Sequence, residues 1–283
     1  MIHQVIPVSA GVGEPEGKLY TYLWDASEEL ELGKTRPLIL MCPGGAYKRT
    51  SDREAEPMAL TFMAMGYHVA VLRYSCGEGI HYPTALLQLA KSMKIIREHA
   101  EEWGVRKDKI IVQGCSAGGH LAASLGVFWK KKENLWRMIG ADAETVKPDG
   151  LLLSYSVITA GEFANHSSME GLLGENLLNC ERLLEEQSLE KHVSEDVPVT
   201  FLWHTLTDEA VPVQNSLLFL SALCSAHVPT EFHLYPEGKH GLGLANRLTM
   251  GPGGRGIEEG CESWIDLAKT WLSRYFPWDG DAQ

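Results

Sequence analysis

The sequence predicts an α/β protein, a mostly parallel central sheet with helices on both faces and a small cap insertion. Two observations carry this prediction. Short apolar runs of strand character alternate along the chain with longer segments of helical periodicity, the pattern of a sheet covered on both sides. The chain has 283 residues, of which 45% are hydrophobic and 22% charged, enough for one core with an insertion and ordinary for a globular protein.

Taken in order, the apolar runs place strands at 18–24, 37–42, 67–74, 109–113, 150–155, 199–204 and 230–235. Between them, apolar residues recur at helical spacing over 54–65, 84–102, 117–129, 213–226 and 258–275. The segment 156–196 interrupts this alternation. It is acidic and Leu-rich, has a helical patch at 177–187 and shows no clear strand, so it is expected to be a cap-like insertion within a single domain spanning 1–283.

The formal net charge of −12 argues against nucleic acid as a partner, because phosphate binding needs a clustered basic face. The only basic run, Lys130-Lys131-Lys132, reads as a solvated helix end. The N-terminus lacks a charged segment followed by an apolar one, and no stretch is long and apolar enough to span a membrane. A cytoplasmic protein without membrane contact is expected. Six cysteines are scattered without a C-x-x-C pair or histidines at metal spacing, so reduced thiols, no metal and no cofactor are expected.

Gly114-Cys115-Ser116-Ala117-Gly118 follows the strand at 109–113 and precedes a helix. A sharp turn there holds a serine in a strained conformation with its oxygen exposed, and the flanking glycines avoid collision with the neighbouring strand and helix. A dinucleotide-binding loop would need glycine where Ser116 stands. Ser116 is therefore the predicted nucleophile, and it needs a base because its hydroxyl ionises far above neutrality.

In such a site the acid and then the histidine follow the serine along the chain. Of the eleven histidines, His240 lies beyond the last predicted strand, in Glu237-Gly238-Lys239-His240-Gly241, where glycines let a loop turn over the site. The acid should follow the penultimate strand; Asp208 is chosen there over its neighbour Glu209, with helix N-capping as its competing role. The oxyanion hole needs backbone N–H groups, predicted from Ala117 and from Gly44 and Gly45 in Pro43-Gly44-Gly45-Ala46-Tyr47.

With these residues in place the chain resembles the α/β-hydrolase superfamily, specifically the bacterial esterases related to hormone-sensitive lipase and described as acetyl-xylan or feruloyl esterase-like. The resemblance covers 37–276 and extends to Ser51-Asp52-Arg53-Glu54-Ala55-Glu56-Pro57. Two positions depart from it: Pro43 stands where such esterases commonly have histidine, and Cys115 where many have Asp or Glu. The resemblance implies an α/β-hydrolase fold and hydrolysis of a carboxylic ester through an acyl-enzyme. It suggests short, typically acetyl, groups on a sugar or other small alcohol, so an acetylated oligosaccharide is a candidate substrate. Tyr47, Tyr74 and Tyr155, near predicted strand ends, are placed either to stack on a sugar ring or, the commoner fate of such aromatics, to pack in the interior. An arylformamidase-like amide hydrolase and a catalytically silent binding protein remain as alternatives, and a homo-oligomer is compatible with the sequence.

Overall fold

The computed structural model describes residues 1–27, 29 and 35–278. Its strands are β1 (Val5–Ser9), β2 (Glu16–Tyr22), β3 (Arg36–Cys42), β4 (His68–Arg73), β5 (Val105–Cys115), β6 (Gly150–Ser154), β7 (Val199–Thr205) and β8 (Thr230–Tyr235). They form one sheet in the order β1-β2-β4-β3-β5-β6-β7-β8. The pairs β1/β2 and β2/β4 are antiparallel, and every other neighbouring pair is parallel. The helices are α1 (Glu56–Ala64), α2 (Thr84–Glu98), α3 (Ala117–Phe128), α4 (Glu133–Met138), α5 (Ala143–Val146), α6 (His166–Leu173), α7 (Glu181–Glu186), α8 (Gln214–Ser225) and α9 (Trp264–Tyr275).

The central strands are buried on both faces, and the two-residue period of a strand divides their side chains between two cores. Leu38, Leu40 and Cys42 of β3 pack with Leu89 of α2, Leu121 of α3 and Phe219 of α8. Ile39 and Met41 point the other way, toward Met58 and Phe62 of α1 and Trp264 and Trp271 of α9. Burying each such side chain contributes about 1.5–3 kcal/mol before the entropy of ordering the chain is subtracted. Each face of the sheet therefore has its own helical cover, and the loops at the strands' carboxyl ends stay free to build a site.

Every strand expected from the sequence is present, with ends displaced by a few residues. The sequence reading does not anticipate β1, whose Pro7 sits inside the run; an edge strand tolerates a proline, and β1 pairs on one side only. The last helix begins at Trp264 rather than at 258, because Glu259–Cys261 forms a separate 3-10 turn. Between β6 and β7 the chain makes α6 and α7 with short 3-10 turns. The Asn165 side chain caps α6 by accepting from Ser168 N, a start signal in a stretch where the sequence reading expected no helix. Among the described residues no helix is long and apolar enough to cross a membrane.

Candidate active site

Ser116 sits between β5 and α3 with φ 54° and ψ −123°, a left-handed conformation that a serine adopts only when its surroundings enforce it. The enforcement is local. A Cβ on Gly114 would stand 2.2 Å from Gly118 O, and one on Gly118 would stand 2.0 Å from Cys42 O, so neither position accepts a side chain. Ser116 N donates to Ser154 O at 3.0 Å, and its carbonyl accepts from Val157, Gly119 and His120 N. The turn is thus tied to β6 and to α3 at once.

Its hydroxyl lies 2.7 Å from Nε2 of His240, which the loop after β8 carries. His240 Nδ1 lies 2.7 Å from Asp208 Oδ2, on the loop after β7. The other carboxylate oxygen accepts from the backbone N–H groups of Ala210 and Val211, both at 2.9 Å. The capping interaction and the histidine contact therefore use different oxygens of one side chain. Burial alone would raise the Asp208 pKa, but hydrogen bonds from His204 and His240, the charge of His240 and the Val211 amide outweigh it and hold the carboxyl well below the usual range. An ionised Asp208 accepts the proton on His240 Nδ1 and leaves Nε2 free to accept from Ser116. Glu209, the rival acid, is exposed.

The loops that carry Asp208 and His240 are joined by residues the sequence reading did not single out. Thr205 Oγ1 donates to Gly238 O at 2.8 Å, and Gly238 N donates to Thr207 Oγ1 at 2.9 Å. His204, buried, places Nε2 3.0 Å from Val211 O and 3.4 Å from Asp208 Oδ2, with Nδ1 on Ser216 Oγ at 2.7 Å. These are hydroxyls and a histidine around a loop whose fold no local pattern specifies.

The expected oxyanion donors require one correction. Gly44 N donates to the buried Glu54 carboxylate, Oε2, at 2.9 Å, so it is occupied and does not face the serine. Among the described residues no protein acceptor meets the amides of Gly45, Ala46 or Ala117, and Gly45 and Ala46 line the cavity beside Ser116. Glu54 lies in the Ser51–Pro57 stretch; a glutamate there reads as an ordinary helix-start residue, and only the fold shows it reaching the loop at 43–47.

The three tyrosines are also corrected. Tyr47, Tyr74 and Tyr155 are 3%, 2% and 1% exposed, so their rings are closed to a sugar. They brace the site from behind. Tyr74 OH donates to Pro43 O at 2.8 Å, giving the loop a tether where relatives of the resemblance use histidine. Tyr155 OH donates to Glu54 Oε1 and accepts from Gly243 N, and its ring packs edge-on against His240 with centroids 5.2 Å apart. Of the two roles open to them in the sequence, packing is the one the structure shows and sugar stacking is not, because loops remote in sequence cover the rings.

Tyr47 OH meets His120 Nδ1 at 2.9 Å, and His120 Nε2 meets Gln187 O at 3.1 Å, linking the loop at 43–47, α3 and the segment before β7. His68 is held alike, with Nδ1 accepting from Trp24 N and Nε2 on Gly104 O. Burial lowers both to about 4. Unfolded histidines bind protons near 6.5, so both contribute stability that is complete above that pH and is lost as pH falls toward 4. Urea unfolding followed by tryptophan fluorescence is expected to show a loss of about 2 kcal/mol per histidine between pH 7 and 5. The loss should shrink in His120→Gln. An unchanged midpoint over that range would contradict the buried neutral rings.

The cavity over Ser116 is about 250 Å3, and Asn165 and Ser168 of the segment between β6 and β7 form part of its wall. A larger open depression, about 680 Å3, lies near Asp108 and Asp149 at the opposite ends of the strands and holds none of these groups. The site at the carboxyl ends follows the general rule for open α/β sheets. Among the described residues no group of three or more His, Cys, Asp or Glu is arranged to hold a metal ion.

The family described as BD-FAE matches residues 27–223. The chain is similar to endo-1,4-beta-xylanase B of Butyrivibrio fibrisolvens, with 35% identity over 75% of this chain and 33% of that protein. The chain spans between a third and just over half the length of the curated relatives it matches. Among solved structures, the carboxylesterase Cest-2923 from Lactobacillus plantarum WCFS1 aligns with a TM-score of 0.85 at 29% identity, covering 98% of this chain and 100% of that one. The acetyl ester-xyloside bifunctional hydrolase from Caldicellulosiruptor lactoaceticus aligns with a TM-score of 0.78 at 30% identity, covering 95% and 96%.

Proposed function

We propose that the chain, which belongs to the BD-FAE family and has the α/β-hydrolase fold, is a serine carboxylic-ester hydrolase working through an acyl-enzyme. The observation that carries this reading is the continuous relay from Ser116 Oγ through His240 to Asp208, two contacts of 2.7 Å each, on a serine at φ 54°. Ser116 Oγ attacks the ester carbonyl carbon while His240 Nε2 takes its proton. The amides of Gly45, Ala46 and Ala117 are the candidate donors to the carbonyl oxygen as it becomes negative. Collapse expels the alcohol, protonated by His240; water then repeats the sequence on the acyl-enzyme and releases the acid.

The cavity of about 250 Å3 lies at the small end of ligand sites, which supports short acyl groups. The esterase neighbours support an ester substrate, and the acetyl ester-xyloside hydrolase supports acetyl groups on a sugar. We take residues 156–196 as a cap on a single hydrolase domain, supported by Asn165 and Ser168 in the cavity wall.

The test is a fluorophosphonate probe with intact-mass and peptide mapping, alongside a 4-nitrophenyl ester series from acetate to decanoate. One adduct on Ser116 is expected, with kcat/KM for octanoate at least about tenfold below acetate, since each methylene beyond the cavity gains nothing and crowds the wall. No labelling and no turnover would end the hydrolase reading. Peak activity at eight carbons or more would end the short-acyl part of it.

A further inference from the structure

Three guanidinium groups, Arg49, Arg53 and Arg255, line the same cavity as Ser116 and His240. In a chain of net charge −12 this concentration of positive charge is local to the site. The one carboxylate in that wall, Glu54, already has both oxygens hydrogen-bonded, to Gly44 N and Tyr155 OH. Among the described residues none of the three arginines has an ion-pair partner, whereas Arg73 and Lys48 nearby pair with Asp52 and Glu170.

The three are held in different ways. Arg53 is partly buried and fixed by its Nη1 on Gly241 O at 2.8 Å, just past His240, and by its Nε on Thr249 O. Its Nη2 is buried without an acceptor among the described residues. That Nη2 packs against the backbone of Gly256 and is closed to a ligand, so Arg53 offers an anion its charge rather than this donor. Arg49 and Arg255 are exposed at the rim. The Nε atoms of Arg53 and Arg255 both lie 3.4 Å from where a Cβ on Gly251 would stand, so two like charges flank one bare stretch of backbone. Guanidinium groups match a carboxylate in geometry and in charge.

We propose, building on the ester-hydrolase reading, that the site selects esters carrying a carboxylate close to the scissile bond, with Arg49, Arg53 and Arg255 as its receptor. The carboxylate can belong to the alcohol half, as in an acidic sugar, or to the acyl half, as in a dicarboxylic half-ester. The chemistry of recognition is the same and the two sources separate by experiment.

Two matched pairs test this at low salt: 3-acetoxybenzoate against its methyl ester for the alcohol side, and 4-nitrophenyl hydrogen glutarate against 4-nitrophenyl pentanoate for the acyl side. Each kcat/KM is divided by the ester's hydroxide-catalysed rate to remove intrinsic reactivity. The anionic member of one pair is expected to be favoured about tenfold, and the favoured pair identifies the side. The preference should fall toward unity in 0.5 M NaCl, because the rim charges are screened. It should collapse to within about twofold in R49Q/R255Q and be largely kept in R49K/R255K. Ratios at or below unity in both pairs, with the neutral esters turned over, overturn the carboxylate receptor and leave the hydrolase standing. A preference that survives unchanged in R49Q/R255Q overturns the assignment to these arginines. No turnover of any of the four esters overturns the hydrolase reading and this inference with it.

Discussion

Ser116→Ala is expected to lower kcat on 4-nitrophenyl acetate by about 10⁵ to 10⁶, leaving the residual rate, roughly 10³-fold above water, that an oxyanion hole and binding supply in triad enzymes. The loss is that large because in the proposed mechanism the hydroxyl is the atom that bonds to the acyl carbon, and among the described residues Ser116 is the side chain hydrogen-bonded to His240 Nε2. Cys115, the adjacent residue, is no substitute. It is fully buried, and burial, with Glu54 nearby, raises its thiol above the usual range, against formation of the thiolate a nucleophile needs. Alanine inherits the backbone conformation of Ser116 and removes only one oxygen, so the circular dichroism spectrum and melting temperature should stay close to those of the parent protein. A variant that folds and turns over near the parent rate would show that the chemistry runs through another residue.

The second large effect is expected at Asp208. Asp208→Asn should lower kcat by about 10⁴, while Glu209→Gln should remain within a few-fold. The carboxylate accepts on both oxygens, from His240 Nδ1 on one side and from Ala210 and Val211 N on the other. An amide offers one acceptor. If its oxygen keeps the two backbone donors, its NH2 faces His240 Nδ1 and stabilises the tautomer protonated on Nε2, which cannot take the serine's proton. If the amide flips, two backbone N–H groups lose their acceptor. Glu209 points to solvent and holds neither group.

Asp208 is held ionised well below the usual carboxylate range. Its stabilising contribution is present above the ordinary carboxylate range and is lost only as pH falls through its depressed folded value. Activity lost between pH 6 and 4 therefore does not come from protonating Asp208. Parent and Asp208→Asn kcat/KM profiles across that window check this. Should Glu209→Gln be the crippled variant, the acid is the neighbouring residue.

The order Ser116, Asp208, His240 was legible in the sequence because each residue lies within about five positions of a strand's carboxyl end, and strands are what apolar runs report best. The elbow was legible because backbone contacts at Gly114 and Gly118 forbid any other residue there. What escaped were the groups that reach the site from elsewhere in the chain. Whether Gly44 faces the serine or Glu54 depends on a carboxylate ten positions later folding back beneath it. Tyr155 lies beside the site as expected, but its ring is sealed by the turn at Gly243, far along the chain. The three arginines come from two segments about 200 residues apart, and only the finished cavity brings them together.

The contacts behind the serine close on themselves. From Gly44 they run through Glu54 to Tyr155, from the tyrosine ring to His240, and from His240 to Ser116, whose Cβ would lie 2.9 Å from a Cβ on Gly44. A chain of struts with a free end can swing; closing it on itself removes that free end. Ser116, His240 and the loop at 43–47 thus share one mechanical frame. Their mutual positions are settled when the polypeptide folds, so the ester of the proposed reaction would meet a finished mould instead of shaping one.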